Sequence, residues 1–326
     1  MAVLAEPTLR EELHGATLTS GLPVYVLPRG GVVRKFATFA VHYGSVDNQF
    51  VVPGEGQATS VPDGIAHFLE HKLFEEKEGN VFDRFAALGA DCNAYTYYTT
   101  TTYLFDCTDN FEPALDILVD FVQDPYFTEE NVAKEKGIIQ QELRMYNDSP
   151  GWRVRANLMK GLYHVHPVRI DIGGTVESIQ RIDRETLYRC YRTFYHPSNM
   201  ALFVVGDVDP DRVIERVAGR MAKRKLAPQP PIERIFSPEP TGVRQQRTEE
   251  KMVVAQPILR IGFKDSDLGL TGPDQLRKEL ISELVLDVFL GRGSSLYQEL
   301  YEDGLVSDRF ELGFEGGRRS GSNGKA

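Results

Sequence analysis

Long apolar runs are missing from this chain, and with them any segment that reads as a membrane-spanning helix, which needs about twenty consecutive apolar residues. Residues 1–12 have neither the charged start and apolar core of a secretory leader nor the Arg-rich, acid-poor composition of a transit peptide, so a cytoplasmic location is expected. Cysteine is scarce. Cys92, Cys107 and Cys190 are the only three, with no C-x-x-C pair, which argues against a disulfide scaffold and suits a reducing compartment. A turn at Thr99-Thr100 would set Cys92 opposite Cys107 across a hairpin, so a bridge is one reading and two small buried apolar side chains the other. Positive charge is in deficit too: 37 Lys and Arg against 47 Asp and Glu leave a net charge of −10. That argues against nucleic acid or an anionic membrane as the main partner, since both need a basic footprint. Basic or neutral peptides remain compatible.

What is present is ordinary for a globular protein: 326 residues, 41% hydrophobic and 26% charged, enough for one large or two medium domains. The stretch that departs from the ordinary is Asp63-Gly64-Ile65-Ala66-His67-Phe68-Leu69-Glu70-His71-Lys72-Leu73-Phe74. At helical spacing His67 and His71 stack on one face a turn apart, with Glu70 beside them. A zinc ion used for hydrolysis takes three protein ligands and keeps one position open. Two histidines fill two of the three, and a carboxylate that is not itself a ligand is left to move a proton. The alternative is a core helix with two incidental histidines, because Ile65, Phe68, Leu69, Leu73 and Phe74 form an apolar stripe.

A third ligand should be acidic and sit on another rigid element. Residues 129–146 have a helical pattern in which Glu135 and Glu142 are seven apart and share a face. One can ligate and the other orient.

The inverted motif His67-Phe68-Leu69-Glu70-His71, with Glu142 following 71 positions after His71 and Glu135 a heptad earlier, resembles the pitrilysin/insulinase family of zinc metallopeptidases, the inverzincins. The likeness extends through Asn93-Ala94-Tyr95-Thr96, Tyr195-His196-Pro197-Ser198-Asn199-Met200 and Val204-Val205-Gly206-Asp207-Val208-Asp209-Pro210. Pro62-Asp63-Gly64-Ile65-Ala66 and His166-Pro167-Val168-Arg169-Ile170-Asp171 suggest the bacterial YmfH-like branch. The resemblance implies one Zn2+ per chain held by His67, His71 and Glu142, Glu70 as the base, and Glu135 as the carboxylate supporting a ligand histidine. It also implies that Asn93, Ala94 and Tyr95 lie on an edge strand that pairs with the substrate main chain; the other reading is an interior strand with Asn93 capping a turn.

Taken in order, residues 16–29 and 36–43 alternate around a turn at Arg29-Gly30-Gly31 and predict an antiparallel pair. Asp63 is the expected cap of the His67 helix. A short helix at 81–88 and strands at 91–98 and 101–107 follow, then helices at 111–122, 128–146, 152–163 and 182–195, a strand at 200–206 and a helix at 210–220. His164, His166 and His196 are read as structural or surface groups; the last two precede prolines, which favours extended or turn geometry. Five prolines and no apolar periodicity mark 226–243 as a linker between a catalytic half, 1–225, and a second half, 244–315. A strand at 251–263 and a helix near 273–290 open that second half, and the glycine-rich tail 316–326 is expected to be disordered.

The fold implied by the resemblance is α/β (α+β): an antiparallel sheet covered by helices, in two similar halves of the clamshell metallopeptidase type. The second half is shorter than the family pattern. The function implied is a zinc endopeptidase acting on peptides or short unfolded proteins in an enclosed chamber, paired with a similar second subunit as a homo- or heterodimer. The alternative is a non-proteolytic or partner-dependent subunit with a vestigial metal site.

Overall fold

Alternation over Met200–Gly206 and Lys35–Val41 builds two strands whose inward side chains are lost from solvent: Met200, Leu202 and Val204 on one, Ala37, Phe39 and Val41 on the other. They lie side by side at the centre of the main sheet. The computed structural model describes residues 2–265 and 269–314, which form one compact unit ending at Gly262 and another beginning at Phe263.

In chain order the strands are β1 (Ala2–Glu6), β2 (Glu11–Thr17), β3 (Pro23–Pro28), β4 (Lys35–Val41), β5 (Gln49–Val51), β6 (Ala58–Ser60), β7 (Glu75–Glu76), β8 (Gly79–Asn80), β9 (Asp91–Thr96), β10 (Thr101–Cys107), β11 (Met200–Gly206) and β12 (Glu233–Arg234). The helices are α1 (Ile65–Leu73), α2 (Val81–Ala86), α3 (Phe111–Val122), α4 (Glu129–Asn147), α5 (Pro150–Leu162), α6 (Val176–Gln180), α7 (Arg184–Phe194), α8 (Pro210–Ala222), α9 (Gly272–Leu290) and α10 (Ser295–Glu302). A seven-stranded sheet runs β1-β2-β3-β11-β4-β10-β9, antiparallel except where β11 lies parallel to β3. The fold is therefore the expected mixed α/β arrangement of antiparallel sheet and covering helices.

Four local expectations are corrected. Segments 16–29 and 36–43 do not pair, because β11 returns from far along the chain and slots between β3 and β4, taking the main-chain bonds of both. Cys92 faces Phe105 rather than Cys107, since the turn runs from Tyr97 to Thr100 and sets Thr96 against Thr101; all three thiols are free and buried. Asp63 does not cap α1. The cap position is Gly64, at φ 86°, while Asp63 Oδ1 accepts from Asn48 Nδ2 at 2.8 Å. Residues 251–262 form no strand, having no neighbour to pair with among the described residues; Val253, Leu259 and Ile261 stand exposed. Glu250, just before the segment, is tied to α5 instead, Arg153 and Asn157 both donating to its carboxylate. The tail 316–326 lies outside the described residues.

The core sits between the sheet and α1, α3 and α7. Phe68, Leu69 and Leu73 present the apolar face of α1 inward, fully buried, each stabilising the fold by about 1.5–3 kcal/mol. Phe194 of α7 stacks on Tyr43 with centroids 3.9 Å apart. Within 226–243, β12 adds to β5, and Arg234 Nε donates to the buried Asp47 Oδ1 at 2.8 Å. In the second unit α10 packs on α9, and Tyr297 is its buried residue.

Candidate metal centre

With its apolar side committed to the core, α1 turns His67 and His71 toward α4. Their rings meet edge to face, centroids 4.5 Å apart, and the two Nε2 atoms face each other at 3.2 Å. Glu142 reaches the same point from α4: its Oε1 is 3.8 Å from His67 Nε2 and its Oε2 is 3.5 Å from His71 Nε2. The three side chains come from two helices, with His71 and Glu142 71 residues apart in sequence, and among the described residues they are the group whose donor atoms lie close enough together to hold a metal.

The donor set fits zinc. Tetrahedral bonds of about 2.0–2.1 Å place ligand atoms roughly 3.3 Å apart, and the separations of 3.2, 3.5 and 3.8 Å fall around that value. Protonation agrees with the geometry. Burial, helped by the neighbouring His71, drives the His67 pKa down to about 3, keeping a neutral ring with a lone pair to give. For His71 burial pulls downward, but the hydrogen bond and charge of Glu135, with Glu70 and Glu142 adding, outweigh it and leave the pKa raised. His71 Nδ1 donates to Glu135 Oε1 at 3.0 Å, which aims Nε2 at the triad. Glu135 is steadied in turn by the fully buried Lys72, whose Nζ lies 3.7 Å from Oε2 and also pairs with Glu75.

Glu70 is beside the triad but not in it. Burial raises its pKa, partly countered by Thr96, whose hydroxyl donates to Oε2 at 2.5 Å. Thr96 ends β9, so the last strand of the sheet touches the site directly. Asn93, Ala94 and Tyr95 occupy that strand, with Tyr95 half exposed and Asn93 Oδ1 accepting from the Ala94 N–H at 2.8 Å. His166 and His196 each use Nδ1 to accept a backbone N–H two residues on, at short turns opened by their prolines. His164 takes part through its backbone N–H, bound to Glu239.

Lys72, Thr96, Tyr146 and the loop around Gly173 escape a reading by motif. Burial, with the negative charge of Glu142 beside it, raises the pKa of the Tyr146 hydroxyl. Gly173 lies against the start of α1: a Cβ there would be 2.9 Å from Leu143 and 3.6 Å from His67 Nδ1. The one sequence signal for Tyr146 is its spacing of four from Glu142 on the same helix.

Residues 50–176 match the family described as insulinase (peptidase family M16), and residues 181–316 match that described as the peptidase M16 inactive domain. The uncharacterized zinc protease YmfH of Bacillus subtilis (strain 168) is 47% identical over 306 residues, 94% of this chain and 72% of the relative. The chain belongs to the M16 family. It is also 27% identical to the uncharacterized zinc protease SCO5738 of Streptomyces coelicolor, over 92% of this chain and 65% of that one. The crystal structure of an M16-like protein from Alicyclobacillus acidocaldarius superposes with a TM-score of 0.90 at 40% identity, over 97% of this chain and 74% of its own length. No helix among the described residues is long and apolar enough to cross a membrane.

Proposed function

We propose that this M16 chain is a zinc endopeptidase that hydrolyses peptides or short unfolded segments, with one zinc ion held by His67, His71 and Glu142. The observation that carries the reading is the meeting of those three donors with a fourth, non-ligating carboxylate, Glu70, buried alongside. Zinc bound there supplies Lewis acidity, which polarises the scissile carbonyl and makes a water molecule acidic enough to attack near neutral pH. Glu70 then moves the proton. With Oε2 occupied by Thr96, Oε1 is the oxygen left to take a proton from the attacking water and return it to the departing amide nitrogen. A raised pKa suits both halves of that task, since the carboxyl must accept and then release. Glu135 holds the His71 ring in register and lends negative charge to a ligand that must stay deprotonated at Nε2. Strand β9 offers its open edge to an extended peptide, whose carbonyl would replace Asn93 Oδ1 on the Ala94 N–H. Buried, unbridged thiols support a reducing, cytoplasmic setting.

The deciding experiment compares zinc content and peptide cleavage in the wild type and Glu70→Gln. Gln keeps the shape but cannot take a proton, so the variant should retain zinc and lose at least about a hundredfold in kcat. A variant that holds zinc and cleaves at the wild-type rate removes Glu70 from the base role.

A second reading, that the chain is a subunit active only with a partner, is favoured by the match of residues 181–316 to the inactive domain and by the exposed apolar residues of α9. The partner in that case is a similar second subunit. Mixing the two and recovering cleavage absent from either alone distinguishes it.

A further inference from the structure

A recess lies beside the metal centre, between the turn after β9, helix α5 and residues 168–172. Tyr98, Trp152, Arg155, Met159, Arg169 and Ile170 line it. Two connections fix its position. Trp152 stacks on Tyr146, centroids 4.5 Å apart and rings 17° from parallel, and Tyr146 stands one turn beyond Glu142 on α4. Tyr98 follows Thr96, the residue bound to Glu70, by two positions along the chain. A peptide laid along β9 with its scissile bond at the triad passes this recess within a few residues of that bond.

Its lining joins apolar walls to positive charge. Trp152, Met159 and Ile170 give the walls, and the Arg155 guanidinium lies 5.7 Å from the Tyr98 ring centroid. Asp171 is the acidic residue among the lining, and both its oxygens are engaged: Oδ2 accepts from Trp152 Nε1 at 2.5 Å and Oδ1 from the Gly173 N–H at 2.9 Å. Arg169 Nε is buried and has no hydrogen-bond partner among the described residues. A buried guanidinium N–H without an acceptor is unfavourable, and the planar fork of Arg matches a carboxylate, which accepts two parallel N–H bonds.

We propose that this recess is a substrate subsite for a carboxylate, with Arg169 providing the fork, so that the enzyme selects peptides carrying an acidic group a few residues from the cleaved bond. The proposal rests on the endopeptidase reading above. It opposes the chain's net charge of −10, but that diffuse field is screened within about 8 Å at physiological salt, whereas a bidentate contact in a recess is not. An Asp or Glu side chain and a chain terminus offer the same chemistry.

The test uses zinc-loaded full-length chain and one peptide varied two ways: Glu against Gln at each position flanking the cleaved bond, and a free against an amidated C-terminus. Wild type should favour Glu at one position by about tenfold or more in kcat/KM, with Arg169→Gln bringing the ratio near one and Arg169→Lys retaining part of it. A preference that instead follows the free C-terminus also supports the subsite and assigns its ligand to the chain end. Equal rates for every pair, or a preference that survives Arg169→Gln, overturns the proposal. Anisotropy binding of the same labelled peptides to the Glu70→Gln variant reads the preference without chemistry, so a failed base assignment is separable from a failed subsite.

Discussion

His71 has two nitrogens and two duties: Nε2 faces His67 and Glu142, and Nδ1 is held by Glu135. Glu135→Gln keeps a hydrogen-bonding side chain but removes the charge, so zinc affinity near neutral pH should fall about 10–100-fold, read by competition with a chromophoric chelator. An unchanged affinity would remove Glu135 from the supporting role. The pH dependence gives an independent sign. Because the metal-free His71 pKa is raised, protons compete with zinc from above the usual histidine range as pH falls. Glu135→Gln deletes the largest upward influence, so the pH at which competition begins should drop even as the affinity plateau weakens. A purely structural loss lowers the plateau and leaves the onset where it was. The motif made His67, Glu70 and His71 legible in the sequence, and the heptad made Glu135 and Glu142 candidates without saying which would ligate. The family resemblance gave the ligand's part to Glu142, and the reach of its carboxylate from α4 toward both Nε2 atoms is consistent with that. Lys72 and Thr96 stayed unread because what gives them meaning, a carboxylate on α4 and one on α1, lies on a different element in each case.

The seating of α1 depends on close approach between elements. Gly64 stands at φ 86°, and a Cβ there would lie 2.3 Å from the Gly173 carbonyl oxygen. Gly64→Ala should therefore cost more than about 2 kcal/mol in denaturant unfolding, strain and collision together. Gly31→Ala, at φ 80° with nothing within 4 Å, carries strain alone and should cost about 1 kcal/mol. Equal losses would mean that the approach of the Gly173 loop is not tight. A second element-scale device is the clip of β12 onto β5. Burial pushes the Asp47 carboxyl from 3.8 up to about 6, against the opposing pull of Arg234 and the Gly44 N–H. A raised carboxyl pKa means the folded chain binds this proton more readily than the unfolded one, so ionised Asp47 costs stability above about pH 6 and the cost fades toward pH 4. Asp47→Asn has no proton to lose. Its stability relative to wild type should rise by about 1–2 kcal/mol between about pH 5 and pH 7.5, and a flat difference would refute the shift. Elements set by local pattern were legible: α3 at 111–122 and β11 at 200–206 appear with the bounds their periodicity implies. Pairing was less so, because nothing in residues 23–41 signals that a strand from residue 200 onward will enter between β3 and β4. The apolar alternation of 251–262 likewise looked like a strand, but a strand exists only where a neighbour takes up its main-chain bonds.

Across the whole molecule, each unit carries apolar surface that none of the described residues covers. In the first, Val253, Leu259 and Ile261 stand exposed on the unpaired segment; in the second, Leu276, Leu280, Leu284 and Val288 recur every four residues on α9 and form an exposed stripe. In a pair of copies eight such side chains, each 52–70% exposed, are buried, contributing roughly 7–14 kcal/mol. Association costs about 4–15 kcal/mol in lost translation and rotation. The two nearly cancel, so self-association through the stripe alone should be weak and reversible on dilution. A durable complex needs more, and main-chain pairing along 251–262 by strands of a similar second subunit would supply it. Light scattering over a dilution series should accordingly show a mass that rises with concentration, and Leu280→Glu combined with Leu284→Glu should hold the chain near monomer. Added salt should not dissociate the complex, because the driving term is apolar and salt screens only charges. Dissociation by salt would assign the contact to ion pairs instead. A fixed monomer mass at every concentration, with cleavage intact, would show that the exposed stripe does not join copies of this chain and that one chain suffices for the chemistry.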